Sequence, residues 1–287
     1  MFWIDRICDD IEEKLKETIA SGGEVIVRDE KTASGRVHVG SMRGVAVHGG
    51  IADELKARGV KTKFLYEIND FDPMDGLPSY LDASIFEEHM GKPLCMVPSP
   101  DGKAANFAEY YGQEFIGVIN ESGFVVDEFP RASELYKSGK MNDMIRAALE
   151  HSDQIRDIYK KVSRSEKDAD SMPLNVICEE CGKIGTTKVT SFDGEKVSYT
   201  CMPDMVTWAK GCGHEGSVSP FDGNAKLPWK VEWPAKFKAY GVNVEGAGKD
   251  HSTKGGSRDI AKHIVREVYD YPNPYDIPYE FFLVGGK

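Results

Sequence analysis

The sequence predicts an α/β protein with a parallel sheet, a mainly helical region set into it and a small cysteine-bearing subdomain. Three observations carry this. Residues 24–68 read as a strand, a glycine-punctuated loop, a helix and a second strand, the crossover unit of a parallel sheet. The same alternation of strand and helix returns after residue 223. Between the two lie helical spacings and then a run holding four of the six cysteines, Cys178 to Cys212.

The elements follow in order. Ile7, Ile11, Leu15 and Ile19 recur four apart with charges between them, so a helix is expected over 5–20, ended by Ser21, Gly22 and Gly23. Glu24-Val-Ile-Val-Arg28 is a buried-strand run, and Lys61 to Ile68 is a second strand. Between them, Met42 to Arg58 carries Val45, Ala52, Leu55 and Ala57 at helical spacing, and Gly59 closes it. From Asp72 to about Lys167, helical stretches alternate with Pro and Gly; Ile145, Leu149, Ser152, Ile155, Tyr159 and Val162 mark the clearest stripe. Short strands are expected over 173–221. A helix then spans Trp229 to Tyr240, a strand Val242 to Glu245, a helix Ser252 to Tyr269 and a strand Tyr279 to Val284. The chain therefore divides into 1–71 and 223–287 as the two halves of the sheet domain, 72–172 as the helical region and 173–222 as the cysteine subdomain.

At 287 residues with 40% hydrophobic and 29% charged residues, the chain is long enough for about two domains and is not of disordered composition. It holds no apolar run of membrane-spanning length, and Asp5, Arg6, Asp9 and Asp10 interrupt any signal-peptide core, so a cytoplasmic protein is expected. Its net charge of -11 repels polyanions, so a nucleic acid partner would need a local face or residues outside this sequence.

Ser34-Gly-Arg-Val-His38-Val-Gly40-Ser41 lies between the first strand and its helix. A glycine-lined turn there lets a ligand's phosphates approach backbone amides at a helix N-terminus, and an imidazole adds a donor as charge develops. Without a Gly-Lys-Ser/Thr it is not a P-loop. Cys178-Glu-Glu-Cys181, Cys201 and Cys212 offer a pair on a tight turn followed by two later thiolates, a pattern suited to one closed, structural Zn2+ site; His214 competes for the last position. Taken singly, Trp229 and Trp233 read as one core face of a helix, and Tyr279 as a core strand residue.

His38-Val-Gly-Ser41 resembles the His-x-Gly-His signature of class I aminoacyl-tRNA synthetases. Lys226-Leu-Pro-Trp-Lys-Val-Glu-Trp233, Gly248-Lys-Asp-His251 and Gly255-Gly-Ser257 resemble the class I lysyl enzymes in particular. The resemblance runs the whole chain. It implies a Rossmann-like catalytic domain with a zinc-ribbon-like subdomain, and it places Phe282-Leu-Val-Gly-Gly-Lys287 at the lead-in to the family's Lys-Met-Ser-Lys-Ser loop, so that the chain is expected to stop at that loop's first lysine, before the anticodon-binding region.

What the resemblance implies is a lysine–tRNA ligase, taking ATP with Mg2+, L-lysine and tRNA(Lys), the last mainly through regions absent here. Ser34, Gly35, His38, Gly40, Ser41, Gly248 and Asp250 would hold ATP, with His38, Ser41 and Lys287 acting on the phosphates. Glu30, Thr32, Trp229, His251 and Tyr279 would form the lysine pocket. The family carries glycine where Glu30 stands, which leaves Asp70, Asp72 and Glu232 as alternative anchors for the ammonium. Pro98 to Tyr110 has none of the ligands of a further metal site found in relatives, so one zinc is expected. Two rival readings remain: another class I synthetase, in which an arginine or a paired-carboxylate fork would replace this pocket, and a zinc-ribbon binding module without turnover.

Overall fold

The computed structural model describes residues 2–166 and 168–280. The chain opens with α1 (Trp3–Lys14) and α2 (Lys16–Ala20). They share the expected apolar stripe, but the helix breaks at Leu15, whose backbone leaves the helical region (φ -106, ψ 16). Strand β1 (Val25–Thr32), helix α3 (Met42–Ala57) and strand β2 (Thr62–Asn69) follow, and β1 and β2 pair in parallel from Val25↔Thr62 to Thr32↔Asn69. Val45, Ala52 and Leu55 of α3 are buried as expected; Ala57, in its last turn, is exposed.

Helices α4 (Ala83–Phe86), α5 (Phe107–Glu121), α6 (Ala132–Lys137), α7 (Asn142–Glu150) and α8 (Ser152–Ser163) come next. This stretch is not wholly helical, because Glu128 and Arg131 bridge in parallel to Leu65 and Ile68 and add a rung beyond β2. The expected stripe from Ile145 to Val162 is divided between α7 and α8 at His151. Beyond it, β3 (Asn175–Val176) precedes an antiparallel sheet of β4 (Thr187–Phe192), β5 (Val197–Cys201) and β6 (Glu215–Val218), and β7 (Ala225–Lys226) pairs back onto β3.

Helix α9 (Trp229–Tyr240) keeps its expected bounds despite an internal Pro234. The strand expected at 242–245 is a single paired residue, Val244, bridged to Val27 on one side and Tyr275 on the other; it runs on into β8 (Ala247–Gly248). Helix α10 (Ser257–Glu267) starts five residues later than expected, because Gly255 takes a left-handed turn (φ +76) before it. Strand β9 (Pro278–Tyr279) pairs in parallel with β8, and residues 281–287 lie outside the described part.

Joined by these bridges, the parallel sheet has the order 128–131, β2, β1, 244–248, 275–279. The connections reverse direction between β1 and Val244, and in such a sheet the crevice at the carboxyl ends of those two strands is where ligands bind. One core packs α1, α3 and α5 on β1 and β2; a second joins α6 to α10 with the cysteine subdomain through Val176, Val189, Tyr199, Val231 and Ile260. No described helix is long and apolar enough to cross a membrane.

Candidate active site

Strand β1 reads Val25-Ile-Val, apolar with Val25 and Val27 buried, and then Arg28-Asp-Glu-Lys-Thr32, which is mostly charged but still paired in the sheet. Charge on a buried strand end must be met by charge. Arg28, fully buried, donates to Glu30 at 2.6 Å, Glu67 at 3.0 Å and Glu245 at 2.8 Å. Lys236 of α9, also fully buried, reaches Glu67 at 2.5 Å, Glu30 at 2.9 Å and Glu232 at 3.3 Å. Lys226 continues the chain of pairs to Glu232 at 2.5 Å and Asp72 at 3.0 Å, and Asp72 accepts from Thr32 Oγ1 at 2.6 Å. Each buried charge is thus compensated by partners from two or more elements, which fixes β1, β2, β7 and α9 relative to one another.

Above this network is a cavity of about 260 Å3 at the switch point. It gathers Glu30, Thr32, Trp229, His251, Tyr279, Gly248 and Asp250, all expected from sequence, from both halves of the chain. Trp229 stacks on Trp233 with centroids 5.8 Å apart and planes within 10°, and the His251 ring lies 5.2 Å from Trp229. Gly248 and Asp250 approach closely: a Cβ on Gly248 would fall 2.6 Å from Asp250 Oδ1.

Asp29, Glu30, Glu245 and Asp250 put four carboxyls on this cavity, against Arg43 and His251. Burial opposes ionisation of Glu30, but Lys236 and Arg28 outweigh it and hold its carboxyl well below the usual range. Burial pushes the Asp29 carboxyl up, only partly offset by His48, and burial likewise raises Glu245 against the pull of Arg28. The surroundings suit a cation.

Sequence reasoning missed Asp29, Arg43, His48 and Glu245, and weighed Trp233 only as core. Asp29 Oδ2 sits where a Cβ on Gly44 would fall, at 2.0 Å, so the carboxylate lies against the first turns of α3. His48, fully buried, accepts from the Gly246 amide at Nε2 (2.8 Å) and bonds the Gly44 carbonyl at Nδ1 (2.7 Å), tying α3 to the strand that carries Glu245. The Arg43 guanidinium lies 5.0 Å from the Tyr279 ring centroid. The available signal was the polar run at the end of an otherwise apolar strand.

Other expected residues fall elsewhere. Asp70 is not in this cavity: its carboxylate accepts from the Ser133 amide at 2.7 Å and hydroxyl at 2.6 Å, and it lines a separate hollow beside Cys95. Glu232 is fully buried beneath Lys226, Lys236 and Tyr136. Gly35, His38, Gly40 and Ser41 lie on the loop leading into α3, where exposed His38 accepts from the Gly40 amide at Nδ1 (3.1 Å). Ser34 lines a larger neighbouring cavity. Lys287 lies outside the described residues.

In the second subdomain the thiols of Cys178, Cys181, Cys201 and Cys212 converge, all within 4.8 Å of one another. Cys178 and Cys212 are 3.6 Å apart and Cys181 and Cys201 3.7 Å. Four thiolates about 2.3 Å from a tetrahedral ion would sit about 3.8 Å apart, so the set could hold a metal. His214 lies outside it, its ring 6.0 Å from that of Tyr199.

The profile of the family described as tRNA synthetases class I (K) matches residues 1–287. The lysine–tRNA ligase of Methanosarcina barkeri strain Fusaro is 39% identical over 99% of this chain and 50% of its own length. That of Methanosphaera stadtmanae is 31% identical over 99% of the chain and 51% of its own length. The chain thus spans about half the length of the curated relatives it matches. Among solved structures, Leishmania major tyrosyl-tRNA synthetase in complex with tyrosinol is 10% identical, with a TM-score of 0.48 over 98% of this chain and 32% of that one.

Proposed function

The chain belongs to the class I (K) tRNA synthetase family, and from that premise we propose that it forms the lysine-activating part of a cytoplasmic lysine–tRNA ligase. The observation that carries the reading is the carboxyl-lined, aromatic-walled cavity at the switch point of the sheet. A lysine side chain leaving water needs a carboxylate and an aromatic face. Glu30 supplies the first, because the protein cations bonded to it both act on Oε2; Trp229 and Tyr279 supply the second. Thr32 and His251 orient the remainder.

ATP would lie along the loop of Ser34, Gly35, His38, Gly40 and Ser41, with Asp250 accepting from the ribose hydroxyls at the close approach allowed by Gly248. The lysine carboxylate oxygen attacks the α-phosphorus, the bond to the β-phosphate oxygen breaks, and lysyl-adenylate and pyrophosphate result. The 2'-hydroxyl of the terminal adenosine of tRNA(Lys) then attacks the acyl carbon and AMP leaves. Neither step calls for a protein nucleophile, so catalysis rests on positioning and charge stabilisation; Mg2+, His38, Ser41 and Lys287 would act on the phosphates. The four thiols would hold one structural Zn2+, making 173–222 a zinc-ribbon-like subdomain between the helical region 72–172 and the catalytic halves 1–71 and 223–287.

Calorimetric binding of non-hydrolysable aminoacyl-sulfamoyl adenosines carrying lysine, arginine or glutamate tests this. A lysyl preference of about tenfold or more, about 1.4 kcal/mol, is expected. Equal affinity for all three would overturn the lysine assignment.

A further inference from the structure

A second, larger cavity of about 600 Å3 shares two wall residues, Thr32 and Trp229, with the carboxyl-lined one. Its far wall comes from the cysteine subdomain: Met205 and Trp208 stand on the loop bracketed by Cys201 and Cys212. Trp208 is seated by a specific accommodation, since a Cβ on Gly185 would fall 2.5 Å from its Cη2 and 3.2 Å from Pro73 Cβ. The ring therefore lies flush on a bare backbone, where nearly any other residue would displace it. Half-buried Trp208, exposed Met205 and Trp229 give the cavity its apolar faces.

The polar groups restrict what fits between them. Asp72, Asp75, Asn175 and Ser34 line the cavity, and Lys226, its one cation among the described residues, is already bonded to Asp72 and Glu232. A triphosphate would face Asp72 and Asp75 with Lys226 already engaged. A nucleoside is not repelled: its base stacks on an indole, and its amino and hydroxyl groups donate to the carboxylates.

Resting on the lysyl–tRNA ligase reading, we propose that this compartment receives the terminal nucleoside of the acceptor RNA, with Trp208, a residue of the thiol-bracketed loop, as its stacking wall. The shared wall of Thr32 and Trp229 puts a ribose hydroxyl next to the cavity where the lysyl group is held. The cysteine subdomain then does more than fold; it supplies one side of the second substrate's site.

The test uses the whole chain and two probes: a short RNA duplex ending in single-stranded CCA, and lysyl-sulfamoyl adenosine. Trp208→Ala should weaken the RNA about tenfold or more, while lysyl-sulfamoyl adenosine affinity stays within about twofold. Gly185→Ala, which must push the ring aside, should act in the same direction, and Trp208→Phe should restore most of the loss. A duplex lacking the terminal adenosine should bind wild type and Trp208→Ala alike. RNA binding by Trp208→Ala equal to wild type, or no dependence of wild-type binding on the terminal adenosine, would overturn the proposal. Failure of the wild-type chain to bind lysyl-sulfamoyl adenosine would instead overturn the lysine reading, whatever the RNA does.

Discussion

Glu30 and Asp29 are neighbours on one strand, yet their surroundings push their carboxyls in opposite directions: Lys236 and Arg28 overcome burial at Glu30, while at Asp29 burial wins. Glu30 should thus stay ionised well into acid, and its share of stability, present above about 4.3, is lost only as pH falls further towards its lowered value. Asp29 and Glu245 are raised, so they take up protons first as pH falls from neutral, above the usual carboxyl range of about 4. The cavity loses negative charge, and although Glu245 gives up its charged pair with Arg28, the pairs of Arg28 and Lys236 with Glu30 and Glu67 remain. Affinity for lysyl-sulfamoyl adenosine should accordingly decline before any unfolding is seen; calorimetry and circular dichroism across the same pH series check this, and flat affinity down to the unfolding pH would refute it. Glu30→Gln keeps the shape of the side chain but removes a charged acceptor worth about 1.5–3 kcal/mol, so the lysyl compound should bind about ten- to hundredfold more weakly.

Helix α9 shows why an element with no polar face is still built of charges. Glu232, Trp233, Pro234, Ala235, Lys236 and Phe237 are all buried in succession, because the helix runs between the sheet, α10 and the second core. Lys236 is the pivot, facing three carboxylates from β1, β2 and its own helix. Lys236→Met leaves those carboxylates with one cation fewer in a largely buried site, so a loss of about 3–5 kcal/mol is expected, read as a lower urea midpoint at unchanged slope. An unchanged midpoint would show that the network is not a source of rigidity. The sequence pointed to this helix through Trp229 and Trp233, and to β1 through Val25, Ile26 and Val27. The partnership between them was not legible, since Glu30 and Lys236 are 206 residues apart and neither the register of β1 nor the face of α9 is encoded in local spacing. Asp70 illustrates the converse: one residue beyond β2, it is held by Ser133 at the start of α6 and lines a different cavity.

At the scale of the molecule, α9 links its own core to β1 and β2 through the Lys236 pairs, and the cysteine subdomain packs mainly on one core: Cys178, Val189, Tyr199 and Cys201 share a cluster with α6 to α10, while Ala209, with Val206 and Trp208 beside it, joins the cluster of Val25, Val27, Phe64 and Tyr66. Cysteine spacing was readable because Cys178 and Cys181 sit on one turn; which later groups join them depended on how β5 and the following loop fold back, and this is where His214 drops out. Of the antiparallel strands, β6 has no buried residue and β4 buries only Thr187 and Val189, so the packing of this sheet rests mainly on Val197, Tyr199 and Cys201 of β5. A metal on the four thiols would thus supply folding energy that the local packing lacks. Chelation should then strip hydrogen-exchange protection from 187–218 first and spread into the cluster around Val231 and Ile260, while 25–28 and 62–68 remain protected. Uniform loss over both cores would mean that the metal holds up the whole fold. Unchanged protection everywhere, with metal release confirmed by mass spectrometry, would mean that the thiols hold the subdomain together without it.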